Sequence, residues 1–198
     1  MPSEDFDQHL KSLAQEFGLQ TRRMSAFDIR IEDWIRLKCQ YGCPNYGRRF
    51  TCPPYSPEPP AMRAIMESYS TAFLLRFDAP ARPREADMAV QKDGMELAID
   101  AFLRLERFAF LNGFPKAFVF GLNYCPGCHD CTVEEGDDAL GRRAVACKRP
   151  QMARPSLESC GIDVRKLLES AGWDQDARGI DVLKKEDRVS LVSLLLLE

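Results

Sequence analysis

The sequence predicts one α/β (or α+β) domain over residues 1–198, with a small mixed sheet, and three observations support this. Hydrophobic residues make up 45% of the chain, which is enough to build a core. Short apolar runs at 70–77 and 116–122 flank a long segment with helical periodicity, the pattern of a βαβ unit. The chain has two cysteine-rich loops, 39–60 and 123–155, and residues 41–60 have no usable period, so something other than an apolar core, such as a metal cluster, has to order them.

In the N-terminal third, the apolar spacing predicts two helices and an extended segment. Residues 5–17 carry apolar side chains at helical spacing and predict an amphipathic helix. Residues 26–38 alternate apolar and polar side chains, which predicts extended structure leading into Cys39. The segment 57–69 opens with prolines, which are tolerated in a first helical turn, and predicts a helix with Ser56 as its cap.

The middle of the chain predicts a crossover. Residues 70–77 are predicted to form a buried strand, 84–112 a long helix and 116–122 a second buried strand. Such connections are right-handed and join parallel strands. Cys125 follows the second strand at the end where open α/β sheets usually carry their sites.

The last part of the chain predicts one helix and one strand. Asp163 is expected to cap a helix that ends near Ala171. The run 189–197 is apolar and predicts a well-buried last strand.

Charge and hydropathy exclude two classes of partner and suggest a compartment. The net charge is -3, so the chain lacks the basic field of a nucleic-acid-binding protein. No run approaches the roughly 20 apolar residues of a membrane span, and the start is acidic and amphipathic, unlike a secretory signal. We therefore expect a cytoplasmic protein that binds neither nucleic acid nor membrane.

In a reducing cytoplasm, clustered cysteines are expected to be metal ligands or catalysts rather than disulfides. The chain has eight cysteines. Seven of them fall into two groups, which we call the first group (Cys39, Cys43 and Cys52) and the second group (Cys125, Cys128, Cys131 and Cys147).

The second group has the spacing of an iron-sulfur site. Cys125, Cys128 and Cys131 form the C-x2-C-x2-C run that holds three corners of a [4Fe-4S] cube in bacterial-type ferredoxins, and Cys147 is the natural fourth ligand. Zinc is the alternative, although structural zinc usually takes paired C-x2-4-C knuckles. His129 lies within the run and is expected to point outward or to donate a hydrogen bond rather than to ligate.

The first group is one thiol short of a closed site. Either Cys160 completes it, or a cluster keeps one iron open, or the seven cysteines share fewer metals. Cys160 has apolar neighbours, which favours a place in the core. The basic pairs Arg48-Arg49, Arg142-Arg143 and Lys148-Arg149 either offset the charge of a thiolate-bound cluster or form a solvated face.

Three phrases, CQYGCPNYGRRFTCPPYSP (39–57), CPGCHDC (125–131) and CKRPQMARPSLESCGIDV (147–164), resemble those of a prokaryotic family of unknown function described as predicted metal-binding proteins. The similarity spans nearly the whole chain, with the phrases in the same order. The resemblance implies metal or iron-sulfur binding and supplies no reaction.

Three functions remain open at this point. The favoured one is an iron-sulfur protein, with one [4Fe-4S] cluster on the second group and a second metal site on the first, that passes electrons to a redox partner protein or senses redox state. The second is a zinc-stabilised interaction module. The third is an iron-sulfur enzyme that uses an open cluster iron.

Overall fold

A β-sheet runs through the middle of the structure, a computed structural model that describes residues 2–80, 87–122, 125–135, 147–173, 184–185 and 188–198. The strands are β1 (Leu19–Ser25), β2 (Thr71–Pro80), β3 (Phe118–Val119), β4 (Lys184–Lys185) and β5 (Arg188–Leu197). The helices are α1 (Glu4–Glu16), α2 (Ile35–Gly42), α3 (Pro59–Met66), α4 (Asp87–Leu111) and α5 (Val164–Ala171). These elements confirm the α/β class.

The strands lie in the order β1-β2-β5-β3, and β4 also pairs with β5. Every ladder between the described strands is antiparallel. Because β2 and β3 are both antiparallel to β5, they run in the same direction, as the crossover predicts, but β5 lies between them. The one parallel pairing in the described part of the chain is an isolated bridge between Gly121 and Ser156.

Both faces of the sheet are covered, because successive residues of a strand point to opposite sides. Phe73 and Leu75 of β2 pack on one face with α1 and α4. Ala72 and Leu74 pack on the other face with α3, α5 and the segment 157–162. This two-sided burial explains why β2 and β5 read as continuous apolar runs instead of alternating ones.

The helix predicted at 5–17 is confirmed as α1, and Ser3 caps it by accepting a hydrogen bond from the Phe6 N–H at 3.2 Å. The extended segment predicted at 26–38 is wrong. Residues 26–28 form a 3-10 turn, Ile31 makes only an isolated bridge, and α2 begins at Ile35. The alternation there arises because single side chains reach the core, not because the segment joins a sheet.

Ser56 does not cap α3, which corrects that prediction. The helix begins at Pro59 after Glu58, and no side chain caps it. The Ser56 hydroxyl instead donates to the carbonyl oxygen of Ser159 at 2.9 Å. A buried hydroxyl must find a partner, and this one links the first cysteine loop to a distant turn.

The remaining predicted elements are present, with one boundary changed. Strands β2 and β5 and helix α4 match the prediction, and Asp163 caps α5 by accepting from the Lys166 N–H at 3.2 Å. The strand predicted at 116–122 is only two residues long as a ladder. After it the chain turns away from β5, because the Gly121 N–H donates to the carbonyl of Pro155 at 2.8 Å. Among the described residues, no helix combines the length and hydropathy that a membrane crossing needs.

Candidate metal centre

The four cysteines of the second group line one cavity, although Cys147 is distant from the other three in sequence. The cavity volume is about 20 Å³, on the order of the room that one water molecule needs. Burial raises the pKa of Cys125, and the neighbouring thiols of Cys147, Cys128 and Cys131 raise it further. Crowded, buried thiols lose their protons readily only if a cation compensates the charge, which is what a bound metal does.

The thiols of neither cysteine group converge on a single point. Within the described ranges, no three side chains of His, Cys, Asp or Glu converge closely enough to hold one metal ion. The thiols of the second group instead stand around a cavity that backbone and side chains of both cysteine loops enclose.

Arg49 from the first cysteine loop closes this cavity. Its guanidinium donates from Nη1 to the carbonyl oxygen of Cys128 at 3.3 Å and from Nη2 to that of His129 at 3.2 Å. Arg49 is buried, and it lines the cavity together with Phe50 and Thr51. The first loop therefore supplies part of the wall of the second site, and it places a positive charge beside the four thiols.

Thr51 lies between the two cysteine groups. Thr51 is 5% exposed, and its hydroxyl has no hydrogen-bond partner among the described residues. Burial raises the pKa of Cys52 to about 11, and the Thr51 hydroxyl beside that thiol opposes the rise although it falls short of hydrogen-bond geometry. A buried donor without a partner is costly, and a thiolate at Cys52 or a sulfur atom of a bound group would satisfy it.

The first group is assembled by α2 and the turn that follows the loop. Cys39 and Cys43 are four residues apart at the end of α2, so they lie on one face of the helix. Burial raises the pKa of Cys39, and the neighbouring Cys43 and Glu158 add to the rise. Cys52 lies near both other thiols, which also raise its pKa. The structure thus brings the three predicted residues together, and it adds Glu158, which the sequence analysis did not identify.

His129 and Cys160 differ in position from the seven grouped cysteines: His129 is exposed, and Cys160 lies near Cys39 but inside the core. The His129 side chain is 92% exposed and lies outside the cavity, and its Nδ1 is 2.9 Å from Oδ2 of Asp130. That contact lowers the pKa of Asp130. Cys160 is fully buried in the apolar layer beneath α3 and α5, and burial raises its pKa to about 12. The basic pair at 142–143 falls outside the described residues.

A partly buried ion pair attaches the second group to the sheet. Glu106 on α4 accepts from Nε of Arg154 at 3.0 Å and from the Val119 N–H of β3 at 2.7 Å. Gly121 lies against the same segment, because a Cβ there would come within 2.2 Å of the Arg154 carbonyl oxygen. The chain that leaves Cys147 is therefore held against the end of β3.

A wider cleft opens beside the second group. Its volume is about 570 Å³, within the range of small-molecule sites. The cleft reaches Cys128 and carries charged residues of both signs; it is lined by Glu96, Pro126, Gly127, Cys128, His129, Asp130, Lys148, Arg149 and Met152. One edge of the second group is therefore accessible from solvent.

A family model described as "predicted metal-binding protein (DUF2284)" matches residues 22–197. The chain belongs to this family. The match covers both cysteine groups and the segment that carries Glu158, and it confirms the resemblance seen in the three cysteine phrases. No protein among the curated proteins matches the chain, and no solved structure matches it. Membership of the DUF2284 family supports metal binding and leaves the identity of the metal to chemical argument.

Proposed function

We propose that the second group, Cys125, Cys128, Cys131 and Cys147, holds one [4Fe-4S] cluster, and that the protein transfers single electrons to a redox partner protein or senses redox state in the cytoplasm. The observation that carries the proposal is the common cavity of these four thiols. Three of them have the spacing that fits three corners of a cube. Thiolates are soft ligands that select iron-sulfur clusters or zinc over magnesium or calcium.

The surrounding residues suit a cluster that carries negative charge. Arg49 places its guanidinium against the carbonyl oxygens of Cys128 and His129, and Thr51, whose hydroxyl has no hydrogen-bond partner among the described residues, lines the same cavity. Positive charge and hydrogen bonds to sulfur stabilise the reduced form and raise the reduction potential. A cube exceeds about 20 Å³, so we expect the cysteine loops to move apart when the cluster is loaded.

The cleft beside Cys128 gives the second group a route to the surface. A bound [4Fe-4S] cluster would supply one-electron transfer, and its edge near Cys128 would be the one a partner approaches. The charged rim of the cleft, which carries Lys148, Arg149, Glu96 and Asp130, would orient a partner with complementary charges.

Zinc is the second candidate, and the size of the cavity favours it. A volume of about 20 Å³ suits a single ion better than a cube, although the thiols would have to converge on that ion. The protein would then be a zinc-stabilised interaction module with no redox role. The third candidate is an iron-sulfur enzyme with an open cluster iron. This function requires that the three thiols of the first group leave one iron without a protein ligand.

The deciding experiment is anaerobic purification followed by iron, sulfide and zinc analysis. Wild type is compared with Cys128→Ala, and Cys160→Ala serves as the matched control because that thiol lies in the apolar core. We expect Cys128→Ala to lose about four irons and four sulfides per chain, and Cys160→Ala to retain them. Stoichiometric zinc with little iron would refute the redox proposal and favour the zinc module.

A further inference from the structure

Cys147 differs from the other three thiols of the second group in how it is held. Cys125, Cys128 and Cys131 belong to one short loop, so their spacing alone keeps them close together. Cys147 comes well after that loop in the sequence, and yet it lines the same cavity. Its place in the cavity therefore depends on contacts that its own segment makes elsewhere in the fold.

The turn 149–153 carries the Cys147 thiol. The Arg149 N–H donates to Sγ of Cys147 at 3.4 Å. The carbonyl oxygen of Arg149 accepts from the N–H groups of Met152 at 3.0 Å and Ala153 at 3.2 Å, which closes the turn. Arg149 and Ala153 also line the cavity of the four thiols. The position of this turn therefore sets the position of the thiol.

Arg154 binds the turn at two points. Its Nη1 donates to the carbonyl oxygen of Pro150 at 3.4 Å and to that of Ala153 at 2.9 Å. Its Cζ lies 5.6 Å from the centroid of the Phe118 ring in β3. The guanidinium thus lies between the turn and the sheet, and the turn follows it.

Glu106 fixes Arg154 to the sheet and to α4. Its Oε2 accepts from Nε of Arg154 at 3.0 Å, and its Oε1 accepts from Nη2 of the same guanidinium. Two parallel bonds of this kind hold an arginine in one orientation. Oε2 also accepts from the Val119 N–H at 2.7 Å. The two side chains are only 15% and 17% exposed, so the loss of either would leave a partly buried charge without its partner.

We propose that Glu106 is a positioning residue for Cys147. Through Arg154 and the turn 149–153, its carboxylate holds the Cys147 thiol at the cavity before any metal is bound, and it thereby makes the second group a site of four thiols rather than three. The inference rests on the proposed function only for the kind of metal. A [4Fe-4S] cluster takes four thiolates, so Glu106 decides whether the fourth iron has a protein ligand.

The first test uses the metal-free protein, so its result does not depend on which metal the second group takes. Dibromobimane, a short reagent that bridges two thiols, is added to the folded protein. Trypsin cleaves after Arg143 and Lys148 and so separates Cys147 from the other thiols. Mass spectrometry then gives the rate at which the peptide 144–148 becomes linked to the peptide that carries Cys125, Cys128 and Cys131.

Two variants and one control are compared with wild type. Glu106→Gln removes the charge at constant size, and Arg154→Lys keeps the charge but lacks the planar fork that binds a carboxylate at two points. Asp100→Asn is the matched control, because it breaks an ion pair with Arg104 on the exposed side of the same helix. Far-ultraviolet circular dichroism checks that each variant is folded, and Arg154→Lys, the milder change, decides the outcome where Glu106→Gln does not fold.

We expect the rate of linkage to Cys147 to fall about tenfold in Glu106→Gln and in Arg154→Lys, because a turn without its anchor lowers the effective concentration of the thiol. Asp100→Asn should react as wild type does. A wild-type rate in the folded variants would overturn the inference, and so would an equal fall in Asp100→Asn.

The second test uses protein loaded anaerobically with iron and sulfide and then challenged with a chelator. If Cys147 is displaced, only the iron that it binds is exposed. Glu106→Gln and Cys147→Ala should therefore both lose about one iron in four and show the electron paramagnetic resonance signal of an oxidised three-iron cluster. Release of the whole cluster without that signal would indicate a general loss of stability and would overturn the positioning role. Stoichiometric zinc in wild type would refute the proposed function, and the cross-linking rates alone would then decide the role of Glu106.

Discussion

Arg49 donates a hydrogen bond to the carbonyl oxygen of Cys128 at 3.3 Å and thereby joins two loops that are 79 positions apart in sequence. The same guanidinium reaches the next carbonyl, that of His129, at 3.2 Å. Arg49 lies three residues before Cys52 of the first group. The two cysteine groups are therefore built on a shared segment, Arg49–Cys52, and a change in one is expected to reach the other.

Replacement of Arg49 by Gln should destabilise the apoprotein by about 2–3 kcal/mol. A charged donor contributes about 1.5–3 kcal/mol per hydrogen bond, and the shorter glutamine cannot reach both carbonyls. The measurement is urea unfolding of the metal-free protein. Arg165→Gln, which removes only an exposed ion pair with Glu169, should change the free energy of unfolding by less than about 0.5 kcal/mol. Equal stability of the two variants would contradict the role given to Arg49.

Replacement of Thr51 by Val should affect two different quantities: the stability of the apoprotein and the reduction potential of the cluster-bound protein. Without metal, the change removes a buried hydroxyl that lacks a partner, so the free energy of unfolding should rise, or stay within about 1 kcal/mol of wild type. With a cluster bound, the same change removes a donor to sulfur and should lower the reduction potential.

The Thr51→Val measurements are urea unfolding for the apoprotein and a redox titration for the loaded one. Thr51→Ser, which keeps the hydroxyl, is the control and should preserve the potential. A potential that is the same in Thr51→Val and wild type would show that the hydroxyl does not face the bound sulfur.

Gly121→Ala should destabilise the protein by about 3 kcal/mol or more. A Cβ at this position would lie 2.2 Å from the Arg154 carbonyl oxygen, and such an overlap forces the backbone apart. The same overlap should displace the segment that follows Cys147, so we expect the second group to retain less iron. Gly42→Ala is the matched control, because a Cβ there has no neighbour within 4 Å. Thermal and urea unfolding of both variants would measure the difference, and equal stability would refute the close approach.

Features that depend on a local sequence pattern could be predicted from the sequence alone. The C-x2-C-x2-C spacing identified three residues that share a cavity, and Cys147 as their partner. Continuous apolar runs identified β2 and β5, because both faces of these strands are buried. The cap at Asp163 followed from the local preference of short polar side chains for the first turn of a helix.

Features that depend on distant contacts were missed. Strand β1, LQTRRMS, has few apolar residues, and it is a strand because β2 offers it an edge. Helix α2 follows an alternating segment whose apparent period is set by Ile29 and Ile31, which contact the core separately. No sequence pattern pointed to Glu158, because its place beside Cys39 depends on the contact between the turn Glu158–Cys160 and α2. Thr51 and Arg49 became visible as parts of the second site only when the loops were brought together.

The order of strands in the sheet has a consequence for biosynthesis. Strand β5 is the last strand in the described sequence, yet it pairs with both β2 and β3 in the middle of the sheet. Neither pairing can form on the ribosome until residues 188–197 have left the exit tunnel, and contacts between such distant segments slow folding. The second cysteine group is attached to this sheet, because Glu106 binds both Arg154 and the Val119 N–H of β3. Metal insertion should therefore follow the emergence of residues 188–197, so that delivery factors meet a folded sheet rather than an unpaired β2.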